Sequence, residues 1–129
     1  YACREALERL AVAEAIEHLQ DSDIQVLYQL VERYQQAEDA QVLYEESQRF
    51  DEYIYTLSHN QTLHNLLDVI KGIISRDKKF SAASAERRAA ITAEHLAIIR
   101  AMEARDKQKA QEAVSEHIRN GRKFMEPKR

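Results

Sequence analysis

The sequence predicts an all-α fold, an antiparallel bundle of about six helices. Three observations lead there. Two glycines and one proline in 129 residues leave few places to break a helix. Ala, Glu, Gln, Leu, Arg and Lys, all good helix formers, dominate the chain. No segment alternates apolar and polar residues over more than a few positions, as a half-buried strand would.

The elements follow in order. Residues 2–20 form a first helix with Leu7, Leu10, Ala11, Ala15 and Leu19 on its apolar stripe. Asp21, Ser22 and Asp23 offer a cap for a second, over 23–37, carrying Ile24, Leu27, Tyr28, Val31 and Tyr34. A third, 40–58, carries Leu43, Phe50, Ile54 and Leu57 and breaks at His59 and Asn60. A fourth, 61–77, is strongly apolar through Leu63, Leu66, Leu67, Ile70, Ile73 and Ile74. The polar stretch from Lys78 to Ser84 separates it from a fifth, 84–104, capped by Ser84. Asp106 caps the sixth, 107–124, whose stripe is Ala110, Ala113, Val114, His117, Ile118 and Gly121. Short connections between amphipathic helices imply antiparallel packing around one core. The whole chain, 1–129, reads as one domain, long enough for a single core.

Composition excludes several classes. With 44% hydrophobic and 32% charged residues the chain is neither disordered nor membrane-spanning, and no apolar run approaches the ~20 residues a membrane helix needs. The single cysteine, Cys3, fits a reducing cytoplasm. A net charge of −3 with interleaved signs gives no general attraction to nucleic acid. The basic residues Arg119, Arg122, Lys123, Lys128 and Arg129 read as a solvated helix end. The chain starts at Tyr1 inside a helical pattern, which suggests a fragment lacking an N-terminal part.

In a bundle, polar residues on apolar stripes carry the information. His95 lies one turn after Ile91 and precedes Ile98, Ile99 and Met102; His117 lies between Val114 and Ile118. Both point inward. Asp51 lies beside Phe50 and one turn before Ile54 and Tyr55, at the edge of the third helix's buried stripe. A buried carboxylate is costly unless it is paired or binds a cation. Two imidazoles and a carboxylate suit a divalent transition metal (zinc, nickel or manganese), with positions left open for water or a ligand. Taken singly, each histidine reads as a satisfied core or boundary residue rather than a ligand; two inward histidines together with an inward aspartate shift the reading towards a ligand set. His18, His59 and His64 read as surface residues. Tyr53 and Tyr55 read as core aromatics that could also line a pocket.

No catalytic residue emerges. A di-iron bundle needs Glu-x-x-His pairs, and the residues three before the five histidines are Ala15, Thr56, Gln61, Thr92 and Val114. There is no Gly-rich phosphate loop, zinc-finger spacing or Cys/His nucleophile pair.

Several segments carry a resemblance. Arg4-Glu5-Ala6-Leu7-Glu8, the stretch from Phe50-Asp51 to Asn60, Ala93 through Met102 around Glu94-His95, and then Asp106, Ala110 and His117 follow one another in a specific order and spacing. Together they resemble the FCD ligand-binding domain found in the FadR branch of GntR transcription regulators. That resemblance implies a bundle that homodimerises, receives a small metabolite, and controls an N-terminal winged helix-turn-helix that binds DNA. It also implies a divalent metal held by an Asp-x-x-x-His pair and two later histidines, beside which a carboxylate effector sits. His95 and His117 match the later histidines. Ser47 and Asp51 stand at the positions of the first pair, so one ligand is lost and one changed. Two alternatives stay open: an Asp51/His95/His117 metal site, or a charged hydrogen bond from a protonated histidine to Asp51 with no metal. Arg4 and Arg76 match arginines of the family and Asn60 its asparagine; with Tyr55 they complete the expected effector site. The competing reading is a structural dimerisation module whose inward polar cluster binds nothing.

Overall fold

The computed structural model describes residues 2–81 and 85–125, with side chains placed for 2–73 and 85–123. Six helices occupy them: α1 (Ala2–His18), α2 (Asp21–Gln35), α3 (Ala40–Leu57), α4 (Gln61–Ser81), α5 (Ala85–Glu103) and α6 (Lys107–Met125). No strand occurs among the described residues, and no helix among them is long and apolar enough to cross a membrane. The expected six-helix bundle is the observed architecture, with boundaries displaced by at most a few residues.

Local chemistry sets those boundaries. The cap of α2 is Gln20 and not the Asp21–Asp23 run: the Gln20 backbone N–H donates to Asp23 Oδ2 at 2.9 Å, the reciprocal arm of a capping box. Asp39 caps α3 by accepting from Gln41 N–H at 2.7 Å. His59 ends that helix in the left-handed region, φ 54°. Asn60 Oδ1 then accepts from Leu63 N–H at 3.0 Å and starts α4. Arg105, φ 55°, closes α5 with a bond from Asp106 N–H back to Ala101 C=O at 3.1 Å. The Asp106 side chain starts α6 through Lys109 N–H at 3.0 Å, as its position predicts. Ser84, the expected cap of α5, lies outside the described residues.

Sequential helices pair at α2–α3, α3–α4 and α5–α6, while α1 rests mainly on α6 and α3 and also touches α4. The main core gathers Leu27, Tyr34, Phe50, Ile99, Met102 and Ala110 with their neighbours on α1, α2, α3, α5 and α6. A second, smaller apolar cluster, Ala11, Tyr55, Leu63 and Leu67, forms where α1, α3 and α4 meet.

Two stripes differ from expectation. On α1 the buried residues are Arg4, Glu8, Ala11, Val12, Ala15 and Ile16, and Leu10 is exposed. On α4 the inward line is Leu63, Leu67 and Lys71. Leu66, Val69 and Ile73 point outward at 49%, 64% and 77% exposure. Apolar residues cover more than one face of α4, so periodicity does not select the buried one. Ile74 and Arg76 have side chains outside the described residues.

Candidate functional site

Where α1, α3, α5 and α6 converge, the interior becomes polar. Glu8, Asp51, Tyr55 and His117 line a gap between the apolar side chains of Val12, Ile54, Ile98 and Val114. The gap measures about 10 Å³, room for about one water molecule. Every ionisable group around it is drawn into a contact. Arg4 pairs with Glu8 one turn further along α1, both buried. The Tyr55 hydroxyl donates to the other Glu8 oxygen at 2.6 Å. Lys71 Nζ donates to Asp51 Oδ2 at 3.3 Å and lies 5.0 Å from the centre of the Tyr55 ring.

His117 lines this gap and His95 lies behind it, the two rings tilted at 59° to each other. His95, 1% exposed, lies parallel to Phe50 with centroids 4.1 Å apart and meets the Tyr34 hydroxyl through Nδ1 at 2.9 Å. Its ring is 4.7 Å from that of His117. His117 Nδ1 donates to Glu94 Oε1 at 2.5 Å. The same carboxylate accepts from Arg87 at 2.8 and 2.9 Å and from Asn120 at 3.0 Å. Arg87 in turn lies close over α6: a Cβ at Gly121 would stand 3.2 Å from its Nη2, so a residue without a side chain suits that position.

Burial and charge shift the titrations in a consistent way. Burial pushes the Tyr55 and Tyr34 hydroxyls well above the usual phenol range, and the carboxylates Glu8 and Asp51 reinforce it at Tyr55. Burial also opposes the charge of Arg4, but Glu8 and Asp51 outweigh it and keep the guanidinium firmly protonated. Desolvation would raise Glu94, yet the His117 hydrogen bond, with the charges of His117 and Arg87 and the Asn120 amide, holds it below the usual carboxylate range.

Of the expected site residues, Asp51, His117 and Tyr55 meet at the gap, His95 stands directly behind His117, and Arg4 joins through Glu8. Asn60 does not join them. It caps α4, contacts Glu14 at 3.2 Å, and borders a separate surface cleft with Thr56, His59 and His64. Arg76 has its side chain outside the described residues. Sequence reasoning missed Glu8, Lys71, Arg87 and Glu94. For Lys71 the available signal was its place one turn beyond Leu67 and two beyond Leu63.

As arranged here, Asp51, His95 and His117 do not fit a divalent ion. An ammonium already stands at Asp51, and a metal there would face a like charge. Among the described residues, the ligand atoms gathered within 4.8 Å of one another are instead those of Glu52, His64 and Asp68 on the outer face of α3 and α4. His64 Nε2 is 2.6 Å from Glu52 and 3.8 Å from Asp68 there.

The sequence profile of the FCD domain matches residues 1–120. No curated protein sequence matches the chain. Among solved structures it is similar to E. coli McbR/YncC, with a TM-score of 0.88 at 24% identity, over 96% of this chain and 64% of that one. The chain thus spans under two thirds of that neighbour's length, and the likeness is one of fold.

Proposed function

Because the chain belongs to the FCD domain family, the regulatory and non-enzymatic ligand-binding domains of GntR-type transcription regulators, we propose that it is the effector-receiving part of a bacterial, cytoplasmic transcription regulator that senses a small carboxylate as a homodimer. The observation that carries this reading is the charged gap in the bundle interior. Two buried carboxylates, Glu8 and Asp51, line it, and two buried cations, Arg4 and Lys71, are paired with them from behind. Burying four charges in so small a domain is a poor way to gain stability, since apolar residues of similar volume do as well or better. A recognition site is the use that justifies them.

The gap as it stands is too small for a metabolite, so binding has to part the network. An entering carboxylate competes with Glu8 and Asp51 for Arg4 and Lys71, and with Glu94 for His117. The bonds it exchanges join α1, α3 and α4 on one side and α5 and α6 on the other. Displacing them shifts α4, whose outer face carries the exposed Leu66, Val69 and Ile73. A stripe of that kind supports the homodimer reading. The effector then controls DNA binding by favouring one arrangement of the dimer, and linkage requires it to bind the two arrangements with different affinities. DNA contact itself belongs to a winged helix-turn-helix outside this chain. Metal content of the purified protein tests the expected Asp51/His95/His117 site, which the Lys71 ammonium at Asp51 disfavours.

The second reading, a dimerisation module with a closed internal network, is favoured by the partners that Glu8, Asp51 and Glu94 already have. A melting series with small carboxylates separates the two, because a ligand at ~100 times its dissociation constant adds ~2.7 kcal/mol to the folded state. Operator affinity of the full-length regulator with and without the stabilising compound completes the test. A compound that binds and leaves operator affinity unchanged sinks the switching mechanism.

A further inference from the structure

We propose that Lys71 is the built-in cation of this site: its ammonium, not a metal ion, receives the effector's carboxylate. The inference rests on the carboxylate-sensing reading above and adds to it the group that does the sensing.

Four observations carry it. Lys71 is 5% exposed, and lysine is seldom buried to that degree without a charged partner. It continues the Leu63 and Leu67 line of α4, so the helix aims it at the interior. Its hydrogen bond to Asp51 is 3.3 Å long, at the weak end of the range, and takes one of three N–H donors. The Tyr55 ring at 5.0 Å attracts the charge without accepting a directed oxygen contact. Among the described residues, two donors of a nearly dry ammonium are thus left for an oxygen ligand.

Arg4 is differently placed. Its guanidinium is tied to Glu8 within its own helix, and Tyr55 holds the other oxygen of that carboxylate at 2.6 Å. Exchange there breaks two contacts of Glu8, whereas at Lys71 an entering carboxylate competes with one long bond, that to Asp51 at 3.3 Å. Asp51 becomes the internal occupant of a carboxylate seat, holding the ammonium in place until a ligand arrives. The same ammonium explains why Asp51, His95 and His117 are not drawn together as metal ligands.

The test uses two probes, zinc and a panel of acetate, lactate, succinate and benzoate, on the parent and on Lys71→Met, Lys71→Arg and the neutral pair Lys71→Met with Asp51→Asn. Melting temperature and bound metal per chain are read in each. The expected result is that a panel member stabilises the parent equally with and without EDTA. Lys71→Arg keeps the effect; Lys71→Met and the neutral pair weaken apparent affinity by about tenfold or more. Zinc does not bind the parent through Asp51, His95 and His117; in Lys71→Met, which lacks the ammonium beside Asp51, a zinc that His95→Ala with His117→Ala removes is expected. The proposal is overturned if stabilisation needs metal, or if the parent holds one zinc per chain that His95→Ala with His117→Ala removes. It is also overturned if the neutral pair retains carboxylate binding, or if neither parent nor Lys71→Met takes zinc at those histidines. Should no carboxylate stabilise the parent while that zinc binds Lys71→Met alone, carboxylate sensing fails and the place of Lys71 at the metal position stands.

Discussion

His117 on α6 donates its Nδ1–H to Oε1 of Glu94 on α5 at 2.5 Å, and Glu94 is the carboxylate on which that seam of the bundle converges. Arg87 and Asn120 bond to the same group. Glu94→Ala takes the shared acceptor from three donors, one of them a guanidinium only 3% exposed. A loss of about 3–5 kcal/mol is expected, the range for breaking a buried ion pair by removing one partner. Urea unfolding of the two proteins measures it. A loss below about 1 kcal/mol would mean that the cluster is solvated and carries little of the seam.

Acid should weaken the domain through this residue. The folded pKa of Glu94 is lowered. Its contribution is therefore present above the ordinary unfolded value near ~4.3 and is lost as pH falls through the lowered folded value. Glu94→Gln, which does not titrate, should lose less stability over that window than the parent does. Parallel curves of unfolding free energy against pH below 5 for the two proteins would contradict the assignment.

Alkali should weaken it through the buried phenols. Tyr34 and Tyr55 have raised folded pKa values, so the unfolded chain loses these protons first. Stability is complete below the unfolded value near ~10 and falls as pH rises past it. Tyr55→Phe should flatten that alkaline decline. At neutral pH the same substitution removes the donor to Glu8 at 2.6 Å and should cost about 1–3 kcal/mol. A neutral-pH cost near zero would place Glu8 in contact with water.

The Phe50 ring fills the core at 0% exposure and sets the plane of His95 by stacking on it at 4.1 Å. Phe50→Ala should cost about 3–5 kcal/mol from transfer and cavity terms together. Phe50→Leu keeps much of the volume and should cost markedly less. Equal losses in the two variants would point to the stacked ring, and not the filled volume, as the source of stability.

The stripe Leu66, Val69 and Ile73 carries the homodimer reading. Leu66→Glu with Val69→Glu should leave the helix folded, because both positions face outward, and should give a monomer by light scattering. A dimer of unchanged mass would place the interface on another face.

Helix positions were legible in the sequence because they follow from local chemistry. Asn60, Asp106 and the scarcity of glycine and proline act within a turn or two, and the six segments they delimit are the six helices found. The inward aim of His95 was legible for a similar reason: Ile91, Ile98 and Ile99 mark one unambiguous face. His117 was found in the same way, from Val114 and Ile118.

What the sequence by itself determined, then, was an all-helical FCD-type domain with histidines turned into its core. Only the tertiary structure decided which charges share that core. Glu8 is buried because Tyr55, 47 positions away, reaches it from α3, and Lys71 because Asp51, 20 positions away, receives it from α3. Along the chain both look like ordinary solvated charges, and the apolar residues on several faces of α4 offer no single inward direction. A charge can be buried only where a counter-charge meets it, and that meeting is a property of how helices pack, which no local period records.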